Sequence, residues 1–233
     1  MSFHTEDELA ALNSFVRHAV RSNAVWVVVG TGAIAHVDTA SHPGMAVHLI
    51  WSRHSEATRW ADLLAAHPLV EGADLATFLT EVLPWLGEPG RIIGVDWSTD
   101  PAEPVISASE LAPMVRDRIL DQFCEDVVAE QAVWLLQSDN GPAVVPASDG
   151  TGMILPAWGE RTAAERATEG PWSAMRPFRM TLREFNARVL TACAGAKARI
   201  AANYIAGAGC HLLQPWALKA RLGETAVPER RIA

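Results

Sequence analysis

Nowhere in the chain do about 18 consecutive apolar residues occur, so the sequence predicts no membrane-spanning helix. The N-terminal stretch from Met1 to Glu8 is acidic and lacks a basic flank with an apolar run behind it, so no secretory signal is expected. Cysteine is scarce: Cys124, Cys193 and Cys210 are an odd number without metal-like spacing. They read as small apolar core residues in a reducing cytoplasm, which is the expected location. Positive charge is in deficit, with 19 Lys and Arg against 27 Asp and Glu and a net charge of −8. That balance argues against a nucleic-acid backbone or an anionic membrane as partner and is compatible with a basic protein partner. Motifs of catalysis are also missing: there is no Gly-x-Ser-x-Gly elbow, Walker loop, kinase signature or His-Glu-x-x-His. What is present is the ordinary material of a globular core, 49% hydrophobic and 20% charged, sufficient without staples or metals.

The chain repeats itself. Superposing Ala24-Val25-Trp26 on Ala132-Val133-Trp134 gives a shift of 108, which also sets Phe15 on Phe123 and Val20 on Val128. After a one-residue deletion the shift is 107, pairing Trp51 with Trp158, Arg59 with Arg166, Leu75 with Leu182, Phe78 with Phe185, Leu83 with Leu190 and Leu111 with Leu218. Aromatic and arginine matches at so constant a shift predict a tandem duplication. The expected boundaries are 1–117 for the first copy, 118–222 for the second, and a flexible tail over 223–233.

Each copy reads in the same order. A helix begins at Thr5 with Glu8 three residues on, a capping box, and carries Leu9, Leu12, Phe15, Val16, Ala19 and Val20 at helical spacing. A β-branched run from Val25 to Val29, a turn, and strands ending at Trp51 follow. Helices are expected from His54 to Ala66 and from Leu75 to Leu86, then a strand from Arg91 to Trp97, a Pro-bearing loop from Ser98 to Pro104, and a helix opened by Ser107 with Glu110. In the second copy Thr162 with Glu165 and Thr181 with Glu184 are expected capping boxes, and Asp139-Asn140-Gly141-Pro142 a turn. The fold class is therefore α+β, two tandem copies of a small unit whose antiparallel sheet is covered by helices.

Trp26, Ile50-Trp51, the helix with Arg59 and Ala61, the Leu75–Leu86 string, Ile93-Gly94-Val95-Asp96-Trp97 and Glu110-Leu111 together resemble the bacterial domain-of-unknown-function family 2750. The resemblance spans Asn23 to Leu120 and, with more departures, Gln131 to Leu222. The second copy departs where Ile92–Trp97 becomes Ile200–Ile205, with Asn203-Tyr204 near the position of Asp96. The shared residues are packing residues, so the resemblance implies fold and duplication and transfers no catalytic residue.

Gly30-Thr31-Gly32-Ala33-Ile34-Ala35 fits the dinucleotide fingerprint behind the Val27–Val29 strand. The fingerprint needs a helix to follow, whereas His36 to Gly44 is β-branched and broken by Pro43-Gly44, so a glycine hairpin is the preferred reading. Seven of the eight histidines fall in the first copy. His36 and His48 could converge across a hairpin, but surface histidines are the plainer reading and no metal is assigned. Cys124 reads as buried and inert. Trp97, Trp172 and Trp216 have no tryptophan counterparts at the repeat shift and are candidates for a binding surface.

No catalytic, cofactor or metal residue is assigned, and a non-enzymatic role is favoured. The expected function is a non-catalytic cytoplasmic protein-binding module, concretely an immunity-type inhibitor of a bacterial toxin. Its expected contact residues are Asp96, Trp97, Asp100 and Glu103, from the most distinctive unshared segment. The alternatives are a nucleotide-binding or accessory enzyme using Gly30–Ala35, and a structural subunit.

Overall fold

The computed structural model describes residues 4–98, 104–147, 150–170 and 172–225, and the chain divides into two units, Met1–Arg118 and Ile119–Ala233. The first opens with α1 (Glu6–Ser22), fixed by the capping box: the Thr5 hydroxyl accepts the Glu8 amide at 3.2 Å, and the Glu8 carboxylate accepts the Thr5 amide at 2.6 Å. Leu12, Phe15, Val16, Ala19 and Val20 form its buried stripe. Asn23, left-handed at φ 53°, ends it.

Seven strands follow: β1 (Val25–Gly30), β2 (Ala33–Ile34), β3 (His36–Asp38), β4 (Ala46–Trp51), β5 (Leu69–Ala73), β6 (Arg91–Val95) and β7 (Val105–Ile106). The strand β1 pairs with β5 along one edge, and with β2 and β4 along the other; β3 pairs with β4. These pairs are antiparallel, but β4 and β6 run parallel, an expected consequence of the helices that connect them. The sheet is thus antiparallel-rich, as the sequence suggests, with one parallel pair. Alternation along β4 sends Val47, Leu49 and Trp51 to one face, where they pack with Val28, Trp97 and with Ala57 and Ala61 of α2 (His54–Leu64). His48 and Ile50 point to the other.

The helix α3, residues 75–86, is opened by Asp74, whose carboxylate accepts the Thr77 amide at 2.7 Å. Its middle, Phe78–Val82, is a π turn. The helix α4 (Ala108–Glu130) starts at the expected Ser107–Glu110 box and carries the chain across the division between the units.

The second unit repeats this order with β8 (Ala132–Ser138), β9 (Gly141–Pro142), β10 (Val145–Pro146), β11 (Met153–Ala157), α5 (Arg161–Ala167), β12 (Arg176–Thr181), α6 (182–195), β13 (Arg199–Ala202), β14 (Leu212–Leu213) and α7 (Pro215–Thr225). Pairings β12–β8, β8–β9, β10–β11, parallel β11–β13, and β13–β14 reproduce those of the first unit. Trp26 opposes Trp51, and Trp134 opposes Trp158, the latter pair exchanging backbone bonds of 2.8 and 2.9 Å. Val47 opposes Ile92 and Ile154 opposes Arg199, so the ladder keeps the shift at 107 and sets Asp96 on Asn203 and Trp97 on Tyr204. A π turn recurs at Phe185–Val189 in α6. Pro84 follows the first π turn but Thr191 stands at its position in the second, so proline is not their common cause.

Several local expectations change. The Thr162–Glu165 box does not form, because α5 already starts at Arg161 and Glu165 instead accepts Arg161 Nε at 2.7 Å. The sequence pattern does not announce the edge strands β5 and β12. At the C-terminus helix α7 continues through Thr225, and 226–233 lie outside the described residues.

Candidate functional site

The C-terminal end of β6 gathers a polar constellation from three elements of the first unit. Asp96 turns left-handed at φ 49°, which returns its carboxylate toward the end of β4. There Oδ1 accepts the Ser52 amide at 2.6 Å and Oδ2 accepts the Ser52 hydroxyl at 2.8 Å. Next to Ser52, Arg53 Nη2 lies 2.8 Å from His18 Nε2, and His18 Nδ1 lies 2.9 Å from the Ser14 carbonyl. Because a guanidinium only donates and a carbonyl only accepts, this is the Nδ1–H tautomer. Burial pushes the Asp96 carboxyl above the usual carboxylate range, while the Ser52 bonds and Arg53 pull the other way. With both oxygens committed to Ser52, Asp96 is a strand-end clamp.

Trp97 stands beside it in the core, 4% exposed. This corrects the expectation of an exposed aromatic anchor: Trp97 is the counterpart of Tyr204, and each carbonyl accepts an indole N–H, from Trp51 at 3.0 Å and Trp158 at 3.1 Å. The Trp97 indole itself donates to the Pro104 carbonyl at 3.2 Å, and the Trp60 indole to the Ser98 carbonyl at 3.1 Å. Both ends of segment 98–104 are therefore held by tryptophans. Asp100 and Glu103 lie outside the described residues. Of the other unmatched tryptophans, Trp172 packs edge-on against Trp158 with ring centres 6.0 Å apart, whereas Trp216 is 74% exposed.

The second unit keeps the clamp and changes its charge. Asn203, left-handed at φ 44°, accepts the Gly159 amide at 3.0 Å. His18, Ser52 and Arg53 become Asp126, Gly159 and Glu160. A Cβ on Gly159 would come within 2.7 Å of Asp126 Cβ, which explains the glycine there. Nothing local in the sequence joins Ser52, Arg53 or His18 to Asp96, so no motif announces them.

A second locus lies on the opposite face of β4. His36 and His48 are directly opposed across β3 and β4, with ring centres 5.3 Å apart. The His48 ring meets the Trp85 indole edge-on at 4.9 Å, and the Arg91 guanidinium lies 3.7 Å above the Trp85 ring. The reading of these histidines as surface residues holds for His36 but not for His48, which is buried; the two rings do converge, in the company of Trp85 and Arg91. No group of three or more His, Cys, Asp or Glu able to hold a metal occurs among the described residues.

Gly30–Ala35 is a hairpin, with Val29 opposite Ile34 and Gly30 opposite Ala33. Thr31 and Gly32 at φ 47° and 86° fit a primed two-residue turn. The next helix starts only at His54, so the helix N-terminus that a pyrophosphate requires is not formed there. Cys124 is buried, and burial pushes its thiol up to about 11, which disfavours a nucleophilic thiolate. No helix among the described residues is long and apolar enough to cross a membrane.

No curated protein matches the chain. It is similar to the solved structure of Anabaena Tic22 (protein transport) at 9% identity over 93% of this chain and 98% of that one, with a TM-score of 0.24, too low to carry an argument. The family described as "Protein of unknown function (DUF2750)" matches twice, over residues 12–114 and 120–222. With the duplicated strand order and the duplicated clamp, these matches cover nearly the whole folded chain, which belongs to that family as a tandem duplication.

Proposed function

We propose that this chain is a non-catalytic, cytoplasmic protein-binding module for a basic protein partner, in concrete form an immunity-type inhibitor of a bacterial toxin. The observation that carries the reading is the unequal charge of two units with one fold. Residues 1–118 hold seven basic and fifteen acidic side chains, whereas 119–233 hold twelve of each. The whole net charge of −8 thus sits on the first unit. The neutral second unit builds the same strands and helices, so the fold does not call for that charge. Such an excess acts through its field, by steering an oppositely charged partner.

The contact segment in this reading is 98–104, whose ends are held by Trp60 and Trp97. A segment held at residues 98 and 104, and carrying Pro101 and Pro104, loses less entropy on binding. Asp100 and Glu103 would face the partner, with Asp96 and Trp97 anchoring the base. The immunity form rests on class analogy with small acidic α+β inhibitors.

The test is affinity capture from the native host by the wild-type chain and by the double variant Asp100→Lys/Glu103→Lys. Support is a basic protein retained by the wild type, lost from the double variant and released by salt. Equal retention by both, or retention only of acidic proteins, overturns the reading.

A further inference from the structure

One step beyond the Val145–Ile154 pair, which matches Val37–Val47, the second unit carries Val144 and Leu155 in place of His36 and His48. Trp85, Glu88 and Arg91 likewise correspond to Ala192, Gly195 and Ala198. The same fold is therefore completed within this chain by apolar and small residues at every one of these positions. The histidines meet no architectural need, and burying an imidazole carries a cost that leucine avoids.

His48 is 4% exposed, and its Nδ1 has no hydrogen-bond partner among the described residues. Around it stand His36 from β3, Trp85 from α3 and Arg91 from β6. Arg91 is already engaged by the Trp85 carbonyl at 2.5 Å and by Glu88 at 2.9 Å. Asp38, on the same face of β3 as His36, stands two residues along, opposite Ala46. No ion pair of His48 occurs among the described residues. A proton added to His48 thus meets a cation and a second imidazole, with the adjacent carboxylate Glu88 bound to Arg91 and only the backbone at Ala35 and Ile34 to favour it.

We infer that His36 and His48 form an acid-sensitive latch on the β3–β4 hairpin, closed while His48 is neutral and opened by its protonation. The β10–β11 pair, with Val144 and Leu155 at the corresponding positions, has no such latch. Burial pushes His48 below the ordinary imidazole value; His36 and Arg91 add to this, and backbone bonding at Ala35 and Ile34 opposes it. The opened hairpin then binds the proton more readily than the closed one. Stability of the hairpin is full above the ordinary imidazole value and falls as pH drops below it.

The test is residue-resolved amide hydrogen exchange on the full chain, expressed as protection factors at about pH 7.5 and about pH 5.5. Protection in β3 and β4 is expected to fall by about tenfold or more at the lower pH while β10 and β11 stay within about twofold. In His48→Leu, which installs the residue of the second unit, the pH-dependent loss in β3 and β4 disappears. Should that variant not fold, an NMR titration of the wild-type His48 ring decides: a midpoint below that of free imidazole supports the latch. Protection independent of pH, an equal loss in His48→Leu, or His48 titrating at or above the free value overturns it.

Discussion

Asp96 and Asn203 stand at the same left-handed position after equivalent parallel strands and clamp equivalent amides, those of Ser52 and Gly159. One does it with a carboxylate and the other with a carboxamide. The clamp therefore needs an acceptor oxygen at this point and does not need a charge. In the first unit the charge comes with a serine, an arginine and a histidine; in the second its absence comes with a glycine and two acidic residues at the matching positions.

Asp96→Asn should leave the fold intact, because Asn203 already performs the task. Burial raises the Asp96 carboxyl, so the folded state holds its proton more tightly than the unfolded chain. Its contribution to stability is full below the ordinary aspartate value and is lost as pH rises through the folded-state value. Denaturation of wild type and Asp96→Asn across that range should show the variant gaining relative stability as pH rises. Asp96→Ala, which strands the Ser52 amide, should cost about 1–3 kcal/mol.

Trp97→Ala should behave as a core truncation, costing about 3–5 kcal/mol, whereas Trp97→Tyr, the residue of the second unit, should cost less than half as much. Urea denaturation of the full chain gives both numbers. Equal losses would mean that Tyr204 is not a working counterpart.

Gly32, at φ 86°, is a position where a β-branched side chain is strained, so Gly32→Val should cost roughly 1–2 kcal/mol. Calorimetry with NAD, NADP and FAD should give no saturable heat. Saturable micromolar binding abolished by Gly32→Asp would revive the dinucleotide reading.

Once a partner is identified, Asp100→Lys/Glu103→Lys should slow association and flatten its dependence on ionic strength, with dissociation little changed. Stopped-flow kinetics at several salt concentrations separate the two rates. A change confined to dissociation would count against steering.

The duplication, the α+β class and most helix starts were legible because they rest on local chemistry. Thr5, Ser107 and Thr181 each form their capping box. Thr162 does not, since the helix begins one residue ahead of it. The strand β5 escaped notice because Glu71 and Gly72 interrupt its pattern; the missing side chain at Gly72 is covered across the ladder by the Trp26 ring, which a Cβ there would meet at 2.8 Å. Trp97 looked like a surface residue because it lacks a tryptophan mate, yet Tyr204 holds the same place with a different ring. The tryptophan cluster shows the same exchange: Trp60 on α2 packs at an angle against Trp51 and Trp97, and Trp172, from the loop after α5, does so against Trp158 and Tyr204. Trp85 and Arg91 join His48 through the parallel β4–β6 register, which no local pattern announces.

The paired π turns at Phe78–Val82 and Phe185–Val189 put these differences in chronological order. A π turn carries one residue more than the α turn it replaces. The shift between copies is 107 both at Phe78 and Phe185, entering the turn, and at Leu83 and Leu190, leaving it. Neither copy gained or lost a residue there after they separated, so the ancestral single unit already had the widened turn. The charged clamp, the histidine rung and the relocated tryptophan differ between the daughters and record their later, separate histories.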